Sequence, residues 1–300
     1  MRAFITGGGG FVGGHLARHL ASCGDDVVSV DQECDVTSAV QVRHFLEASS
    51  PDVIYHLAAL THVGESWADP VEFTRVNVLG TKNLLDVAHE VVPGTVVILV
   101  SSADVYGVVS DQDLPLRETF RTAPANPYAS SKLEAEYFAH EAWRRRGQHV
   151  VIARPFNHVG PGQSTKFVIP ALVRRLLDAS VSGAHSIPVG DLTTRRDFSD
   201  VRDVVRAYRL LATFGRAGEV YNIASGVDSS LADIAASLRH DIAPQVELVV
   251  APDLLRPVEI PVMRGSFEKL HDETGWEPSI ALATSLHDVI DDLRASARKS

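Results

Sequence analysis

The sequence predicts an α/β protein: a doubly wound parallel sheet followed by a smaller C-terminal α/β lobe. Through the first half of the chain, short runs rich in Val and Ile alternate with helical patterns, which is typical of βαβ units. A glycine-rich turn joins the first such run to the first helical pattern. After residue 155 the alternation loosens in a segment rich in Pro and Gly. We therefore predict a first domain over residues 1–155 and a second lobe mainly over residues 156–300.

The predicted strands of the first domain are apolar along their whole length, as expected when helices cover both faces of a sheet. The helix Val201–Phe214 is open to two assignments, the second lobe or a return to the first domain. Strands are predicted at residues 2–6, 27–30, 53–57, 96–101 and 150–154, and helices at residues 11–22, 40–48, 70–91, 127–146, 167–180 and 201–214.

The composition is that of an ordinary globular protein of 300 residues, with 45% hydrophobic and 22% charged residues. A net charge of −10 argues against a nucleic-acid partner, which would require a basic face. No apolar run is long enough to span a membrane, and a predicted strand stands where a signal peptide would begin. The two cysteines and thirteen histidines show no metal-binding spacing. We expect no metal, no membrane partner and a cytoplasmic location.

A glycine-rich turn over residues 6–13 lies between the first predicted strand and the first predicted helix. Gly7 permits a tight turn, Gly10 lets the backbone approach a pyrophosphate, and Gly13 lets the helix pack close to the strand. The helix N-terminus adds amide donors and a positive dipole. Strand, glycines and helix in this order predict a Rossmann-type dinucleotide site rather than a plain turn. The predicted contacts are Gly7, Gly10, Phe11, Val12 and Gly13.

Asp31 closes the second predicted strand, about twenty residues beyond the glycines. A carboxylate there accepts hydrogen bonds from both hydroxyls of the adenosine ribose and repels a 2′-phosphate. The alternative is a solvated aspartate at the end of a strand, which is common. We predict NAD as the cofactor, with NADP as the alternative.

Seven short motifs follow one another along the chain from Met1 to about Pro278. Their order and spacing resemble the extended short-chain dehydrogenase/reductases that act on sugar nucleotides, the NAD-dependent epimerase/dehydratase family. The motifs are Thr6-Gly7-x-x-Gly10-x-x-Gly13, Asp35-Val36-Thr37, His56-Leu57-Ala58-Ala59, Asn77-Val78-Leu79-Gly80-Thr81, Ser101-Ser102-Ala103-Asp104-Val105-Tyr106-Gly107, Tyr128-Ala129-Ser130-Ser131-Lys132 and Arg154-Pro155-Phe156-Asn157.

The resemblance implies roles for residues within these motifs. It assigns Ser102, Tyr128 and Lys132 to the catalytic set, with Asp104 as a further candidate. The same lysine is implied to hold the nicotinamide ribose. To the cofactor it further assigns Asp35, Val36, Leu57, Ala58, Ala59, Asn77 and Pro155, together with Tyr128 and Lys132.

The predicted chemistry is hydride transfer coupled to proton transfer at a sugar oxygen. Tyr128 and Lys132 lie four residues apart on one predicted helix and therefore share a face. The lysine charge favours tyrosinate, so we expect it to lower the pKa of Tyr128 toward neutrality. Ser102 ends a strand, where it can hydrogen-bond to the substrate oxygen.

The later part of the chain looks most like the GDP-sugar branch of the family, which contains GDP-mannose 4,6-dehydratases and reductases of GDP-4-keto-6-deoxymannose. In that branch, Asn157, Arg196 and Arg256 surround the diphosphate and Glu259 lies near the guanosine. Guanidinium groups suit phosphate oxygens, although a surface salt bridge is the commoner role for a single arginine. The substrate contacts implied are His62, Ser66, Ser102, Asn157, Val168, Arg196, Arg256 and Glu259.

Three reactions remain open for such a protein. A 4,6-dehydratase needs a well-placed carboxylate, and the position where similar dehydratases carry Glu holds the shorter Asp104. The short segment between Asp31 and Asp35 is similar to that of 4-keto-sugar reductases. We predict NAD(P)H-dependent reduction of a GDP-linked 4-keto-6-deoxy sugar, with 4-epimerisation as the close alternative and dehydration disfavoured. A non-catalytic dinucleotide sensor is a further alternative, although such relatives typically lose the Tyr or the Lys.

The resemblance also predicts a homodimer. In related enzymes the helices that correspond to residues 70–91 and 127–146 pair between subunits.

Overall fold

A parallel sheet lies at the centre of the protein, in a computed structural model that describes residues 1–255, 258 and 260–298. The strands, in chain order, are β1 (Arg2–Thr6), β2 (Asp26–Val30), β3 (Val53–His56), β4 (Val96–Val100), β5 (Val150–Pro155), β6 (Asn157–Val159), β7 (Ser186–Val189), β8 (Arg195–Asp200), β9 (Val220–Ile223), β10 (Asp228–Ser230), β11 (Glu247–Val250) and β12 (Val262–Met263).

The central sheet has the strand order β2-β1-β3-β4-β5-β9, and every neighbouring pair is parallel. All residues of β3 and β5 are buried, because helices cover both faces. The order reverses at β1, which lies between β2 and β3, so ligands are expected beyond the carboxyl ends of the strands at this point. The α/β class and the parallel sheet predicted from the sequence are confirmed.

Helices form a layer on each face of the sheet. One face is covered by helices that bring Leu16 and Val204 to the sheet, and the other by helices that bring Leu46, Leu84 and Ala135. The helices are α1 (Phe11–Ser22), α2 (Ala39–Ser49), α3 (Val63–Ala68), α4 (Pro70–Phe73), α5 (Gly80–Val91), α6 (Pro127–Arg146), α7 (Val168–Ser182), α8 (Val201–Phe214), α9 (Leu231–Ile242), α10 (Glu268–Thr274) and α11 (Leu282–Ala297).

The helix predicted over residues 70–91 is interrupted. α4 and α5 are separated by a wider π-helical turn at Thr74–Leu79. The Asn77 side chain within this turn bonds Leu60 on one side and Ser131 on the other. These tertiary bonds, which hydrophobic periodicity does not reveal, accompany the local widening.

The connection after β2 is short. Between β2 and α2 the chain forms only a compact turn, in which the Asp35 carboxylate accepts bonds from the backbone and hydroxyl of Thr37 at 2.9 and 2.7 Å. No strand lies beyond β2 among the described residues, so β2 forms an edge of the sheet. The segment between Asp31 and Asp35, which is short in sequence, is therefore also a short connection in the structure.

The second lobe packs α7, α9 and α11 around a core of its own, beside β8 and its neighbours β6, β10 and β12. Two later segments return to the central sheet: α8 packs against α1, and β9 pairs with β5. Within the described part of the chain, no helix is both long and apolar enough to cross a bilayer.

Candidate active site

A cleft of about 640 Å³ lies beyond the carboxyl ends of the central strands and is closed on its other side by the second lobe. Its walls combine residues that are distant in sequence. The residues predicted for cofactor or substrate that line it are Gly7, Gly10, Phe11, Val12, Gly13, Asp31, Asp35, Val36, Leu57, Ala58, Ala59, His62, Ser102, Asp104, Tyr128, Lys132, Pro155, Asn157, Val168 and Arg196.

The glycine turn leaves room that side chains would fill. A Cβ on Gly13 would stand 2.3 Å from the Gly7 carbonyl oxygen, and one on Gly7 would stand 2.8 Å from the backbone nitrogen of Ala58. Gly10 begins α1 without a side-chain cap, so the first amides of the helix are not satisfied by a capping side chain. Uncapped amides at a helix N-terminus, facing a cleft, suit a pyrophosphate. The geometry of the turn therefore fits a dinucleotide.

Acidic side chains mark the β2 end of the cleft. The Asp31 carboxylate packs against Gly9, where a Cβ would lie 2.4 Å from Oδ2. The carboxylate of Asp31 therefore reaches the glycine turn despite the short connection. Asp35 also lines the cleft, and the bonds from Thr37 hold the pKa of its carboxyl below the ordinary value. Two carboxylates at this end of the cleft oppose a 2′-phosphate.

A chain of buried hydrogen bonds crosses the ends of β1 and β3. His56 Nδ1 lies 2.8 Å from Thr6 Oγ1, and His56 Nε2 lies 3.0 Å from Thr81 Oγ1. Burial lowers the pKa of His56 to about 3, so the ring is neutral. Thr81 donates its proton to the Asn77 carbonyl, so the His56 proton is on Nε2 and Nδ1 accepts from Thr6. Thr6 Oγ1 in turn accepts from the Ala58 amide at 3.2 Å and fixes the loop after β3.

Two predicted contacts do not reach the cleft wall. Asn77 is buried, and its amide binds the backbone of Leu60 at 2.8 and 3.0 Å and the Ser131 hydroxyl at 2.9 Å. Ser66 is buried with its hydroxyl donating to the Val63 carbonyl at 2.7 Å. Asn77 therefore supports the loop that lines the cleft, and Ser66 stabilises the helix α3. Their assignments to cofactor and substrate stay predictions.

Ser102, Tyr128 and Lys132 meet where β4 ends. The Tyr128 side chain is hydrogen-bonded to Ser102, and Lys132 Nζ donates to the Val100 carbonyl at 2.8 Å. Asn126 caps α6 through a 2.8 Å bond to the Ala129 amide, which fixes the first turn and therefore the Tyr128 side chain. Tyr128 and Lys132 are 8% and 6% exposed.

The pKa of Tyr128 differs from the sequence-based prediction. Burial is the largest influence and raises the pKa, the Asp104 carboxylate raises it further, and the Ser102 hydrogen bond lowers it. The predicted fall of this pKa toward neutrality is therefore wrong for this arrangement, because burial raises the pKa. The Lys132 ammonium group donates to the Val100 carbonyl. Tyr128 is a neutral phenol, which can donate a proton. Burial lowers the pKa of Lys132 to about 8, against an opposing effect of Glu136.

The end of the cleft predicted to hold the substrate is formed mainly by the second lobe. Asn157, Val168 and Arg196 line it, opposite His62, which caps α3. Arg196 donates to the Arg195 carbonyl at 2.9 Å. The other two predicted contacts, Arg256 and Glu259, lie outside the described residues.

Several residues of the cleft were missed by sequence reasoning. Lys166 follows the Pro- and Gly-rich loop and donates to Glu65 at 2.7 Å, so it connects the two lobes. The position of Lys166, a basic residue in the loop before a predicted helix, could have indicated it in the sequence. The His158 ring stacks on the Phe11 ring with 6.2 Å between their centres, whereas the sequence analysis assigned only the neighbouring Asn157 to the site. Tyr208 lines the cleft from the buried face of α8, where no local signal distinguishes it from a core residue.

The sheet order, the glycine turn and the Ser102–Tyr128–Lys132 arrangement together are those of a short-chain dehydrogenase/reductase of the extended type. The family model described as GDP-mannose 4,6 dehydratase matches residues 31–289. The chain belongs to this family, and the family predicted from the sequence motifs is confirmed.

Known proteins resemble the chain along its length. GDP-6-deoxy-D-mannose reductase of Pseudomonas aeruginosa is 37% identical, over 99% of this chain and 99% of that protein. GDP-6-deoxy-D-talose 4-dehydrogenase of Aggregatibacter actinomycetemcomitans is 32% identical, over 92% of each. The structure of RMD from Pseudomonas aeruginosa complexed with NADPH matches with a TM-score of 0.91 at 35% identity, over 99% of this chain and 100% of that chain.

Proposed function

We propose that the protein is an NAD(P)H-dependent reductase that converts the C4 keto group of a GDP-linked 4-keto-6-deoxy sugar to a hydroxyl. The observation that carries the proposal is the buried, neutral phenol of Tyr128, hydrogen-bonded to Ser102 within the cleft. Reduction of a keto group requires a proton at its oxygen, and a neutral phenol donates one. A bound dinucleotide would supply the hydride. Two relatives, GDP-6-deoxy-D-mannose reductase and GDP-6-deoxy-D-talose 4-dehydrogenase, are named for GDP-6-deoxy sugars and support the substrate class.

The remaining site residues are assigned to binding and orientation. Ser102 orients the keto oxygen, and Lys132 places positive charge beside Tyr128 and holds the nicotinamide ribose. The glycine turn with Gly10 holds the pyrophosphate, and Arg196 the sugar-nucleotide diphosphate. The structure of RMD contains NADPH, which supports a nicotinamide cofactor here.

Asp104 argues for reduction over dehydration. Among the described residues that line the cleft, the carboxylates are Asp31, Asp35 and Asp104, and the first two lie at the β2 end. A 4,6-dehydratase must remove the C5 proton and assist loss of the C6 hydroxyl, which calls for a carboxylate with reach. Asp104 is one methylene shorter than Glu, and a misplacement of about 1 Å can cost about a hundredfold in rate.

The direct test follows absorbance at 340 nm with the purified protein, GDP-4-keto-6-deoxymannose and either NADH or NADPH. We expect stoichiometric loss of reduced cofactor, with a higher kcat/KM for NADH because Asp31 opposes the 2′-phosphate. The Asp31→Ser variant tests this reason, because it removes one of the two carboxylates that oppose the 2′-phosphate and should narrow the difference in kcat/KM between the two cofactors.

A different result would identify the alternatives. A 4-epimerase would show no loss of reduced cofactor, would hold NAD tightly and would interconvert supplied UDP- or GDP-sugars. That result would contradict the reductase proposal. Dinucleotide binding without turnover of any sugar would indicate a sensor. The cytoplasmic location stays a prediction.

We further propose a homodimer that pairs the α5–α6 side of two subunits. Exposed apolar side chains lie on neighbouring elements there: Trp67, Val71, Leu79 and Tyr137, the last 77% exposed. Such a patch on one face marks an interaction surface. Light scattering should give twice the chain mass of 32.5 kDa, and Tyr137→Glu should shift the mass to the monomer. A monomeric wild-type protein at micromolar concentration would contradict the proposal.

A further inference from the structure

Three consecutive residues at the end of β4 are bonded to three residues on one face of α6. The α6 residues are spaced by four, so they form a single stripe along the helix. The pairs are Val100 with Lys132, through a 2.8 Å bond, Ser101 with Glu136, and Ser102 with Tyr128. Two of these pairs contain the proton-transfer residues, and the third contains Glu136, to which the proposed reaction gives no role.

Glu136 is a buried carboxylate, 1% exposed. Arg154 at the end of β5 binds both of its oxygens, through Nε at 2.8 Å and a terminal nitrogen at 2.6 Å. The Ser101 hydroxyl donates to the same carboxylate. Neither charged residue is among the described residues that line the cleft, so an effect of either on the reaction would pass through its neighbours. A bidentate, desolvated pair of this kind has well-defined geometry, which suits a positioning role.

Arg154 also anchors the segment that carries Asp104. Its other terminal nitrogen donates to the Tyr106 hydroxyl at 3.1 Å, and its guanidinium carbon lies 5.0 Å from the centre of the Tyr106 ring. Tyr106 ends the 3₁₀ turn Ala103–Tyr106 and donates to Asn222 at 2.7 Å. One ion pair therefore connects α6, β4, β5 and the turn after Ser102.

Glu136 lies one helical turn beyond Lys132 on the same face of α6, and its negative charge acts on the Lys132 ammonium group. The other titratable groups in this region are Tyr128 on α6 and neutral His56 on β3. Asp104 acts on Tyr128 from the 3₁₀ turn, and Arg154 on β5 binds Glu136. Tyr128 and His56 are uncharged, and Glu136 raises the pKa of Lys132 against the effect of burial.

We propose that Glu136, held by Arg154, is a positioning residue that keeps Lys132 and the end of β4 in the arrangement needed for proton transfer to the sugar oxygen. The proposal rests on the proposed reductase function. It implies that Glu136 affects kcat and the protonation of Lys132 with little effect on substrate binding.

The test compares wild type with Glu136→Gln, and with Glu134→Gln as the matched control, which removes an exposed charge from the same helix. We expect Glu136→Gln to lower kcat about ten- to a hundredfold with KM little changed. The alkaline limb of the kcat profile should move to lower pH by about one unit, because the ammonium loses its anionic neighbour. Glu134→Gln should change neither. A lower melting temperature with unchanged kcat and pH limb would overturn the proposal.

Glu136→Gln leaves Arg154 without its carboxylate and is at risk of misfolding. The double variant Glu136→Gln with Arg154→Met removes both buried charges. We expect it to fold and to keep the low kcat, because Ser101 and Lys132 still lack the Glu136 carboxylate. A double variant with wild-type kcat and pH limb would overturn the proposal.

A readout without turnover separates this proposal from the proposed function. With ¹³Cε-labelled lysine, the resonance that disappears in Lys132→Met reports the titration of Lys132. We expect its midpoint to fall in Glu136→Gln and to stay in Glu134→Gln, whether or not a sugar is reduced. An unshifted midpoint would overturn the positioning role, whereas absence of NADH oxidation by wild type would overturn only the reductase function.

Discussion

Replacing Tyr128 by Phe is expected to lower kcat/KM for the reduction of GDP-4-keto-6-deoxymannose by about 10³-fold. The phenol is the proton donor in the proposed reaction, and Phe fills the same buried space without the hydroxyl. The edge contact with Phe73, 6.4 Å between ring centres, can be retained. Initial rates at 340 nm, with fluorescence titration of NADH for cofactor affinity, measure the effect.

Affinity for NADH should remain close to that of wild type, which distinguishes a loss of chemistry from a loss of binding. Tyr137→Phe is the matched control, because it removes a hydroxyl from an exposed tyrosine on the same helix. A Tyr128→Phe variant that reduces the sugar at the wild-type rate would contradict the assignment of the proton donor. If the protein is a dinucleotide sensor, Tyr128→Phe should leave its function unchanged.

Replacing Lys132 by Met is expected to lower the reductase kcat by about 10²- to 10³-fold and to stabilise the fold. The activity loss follows from removing the positive charge beside Tyr128. The gain in stability follows from burial, which lowers the pKa of Lys132 from 10.5 to about 8. A change of that size corresponds to a cost of about 3 kcal/mol for holding the cation in the fold at neutral pH. Met leaves the Val100 carbonyl without its donor, at a cost of about 1 kcal/mol, so we expect a net gain of about 2 kcal/mol.

The pH dependence of the difference in unfolding free energy between Lys132→Met and wild type tests whether the pKa of Lys132 is lowered in the folded protein. Between about pH 8 and 10.5 the folded protein binds fewer protons at Lys132 than the unfolded chain, so the stability of wild type rises with pH. The cost is fully present below about pH 8 and is relieved as pH approaches 10.5. Urea unfolding should therefore show that the stability gain of Lys132→Met over wild type becomes smaller as the pH rises from about 8 to 10.5. Lys82→Met removes a half-exposed lysine that is paired with Asp86, and its stability difference from wild type should not change across this window. A destabilised Lys132→Met at pH 7 would contradict the assignment.

Local sequence patterns predicted much of the cleft. The strand–glycine–helix order at residues 2–22 is a local pattern, because the tight turn at Gly7 and the close helix packing at Gly13 depend on residues without a Cβ. The four-residue spacing of Tyr128 and Lys132 likewise follows from one helix.

Contacts between segments that are distant in sequence could not be predicted from the sequence. The π-helical turn at Thr74–Leu79 is joined to Leu60 and Ser131 through Asn77, and Ser66 turns its hydroxyl to its own helix. Neither feature follows from periodicity, because each depends on where a neighbouring backbone group lies.

The sequence by itself determined the class of fold and the glycine turn, because apolar periodicity and short spacings indicate both. Through the resemblance of its motifs it also indicated the family and the set of Ser102, Tyr128 and Lys132. Only the tertiary structure decided the electrostatics. Burial and Asp104 keep Tyr128 protonated, and the Glu136–Arg154 pair stands behind Lys132. These effects arise from desolvation and from charges brought together by the fold, and the strength of both depends on distances in space rather than on separation along the chain.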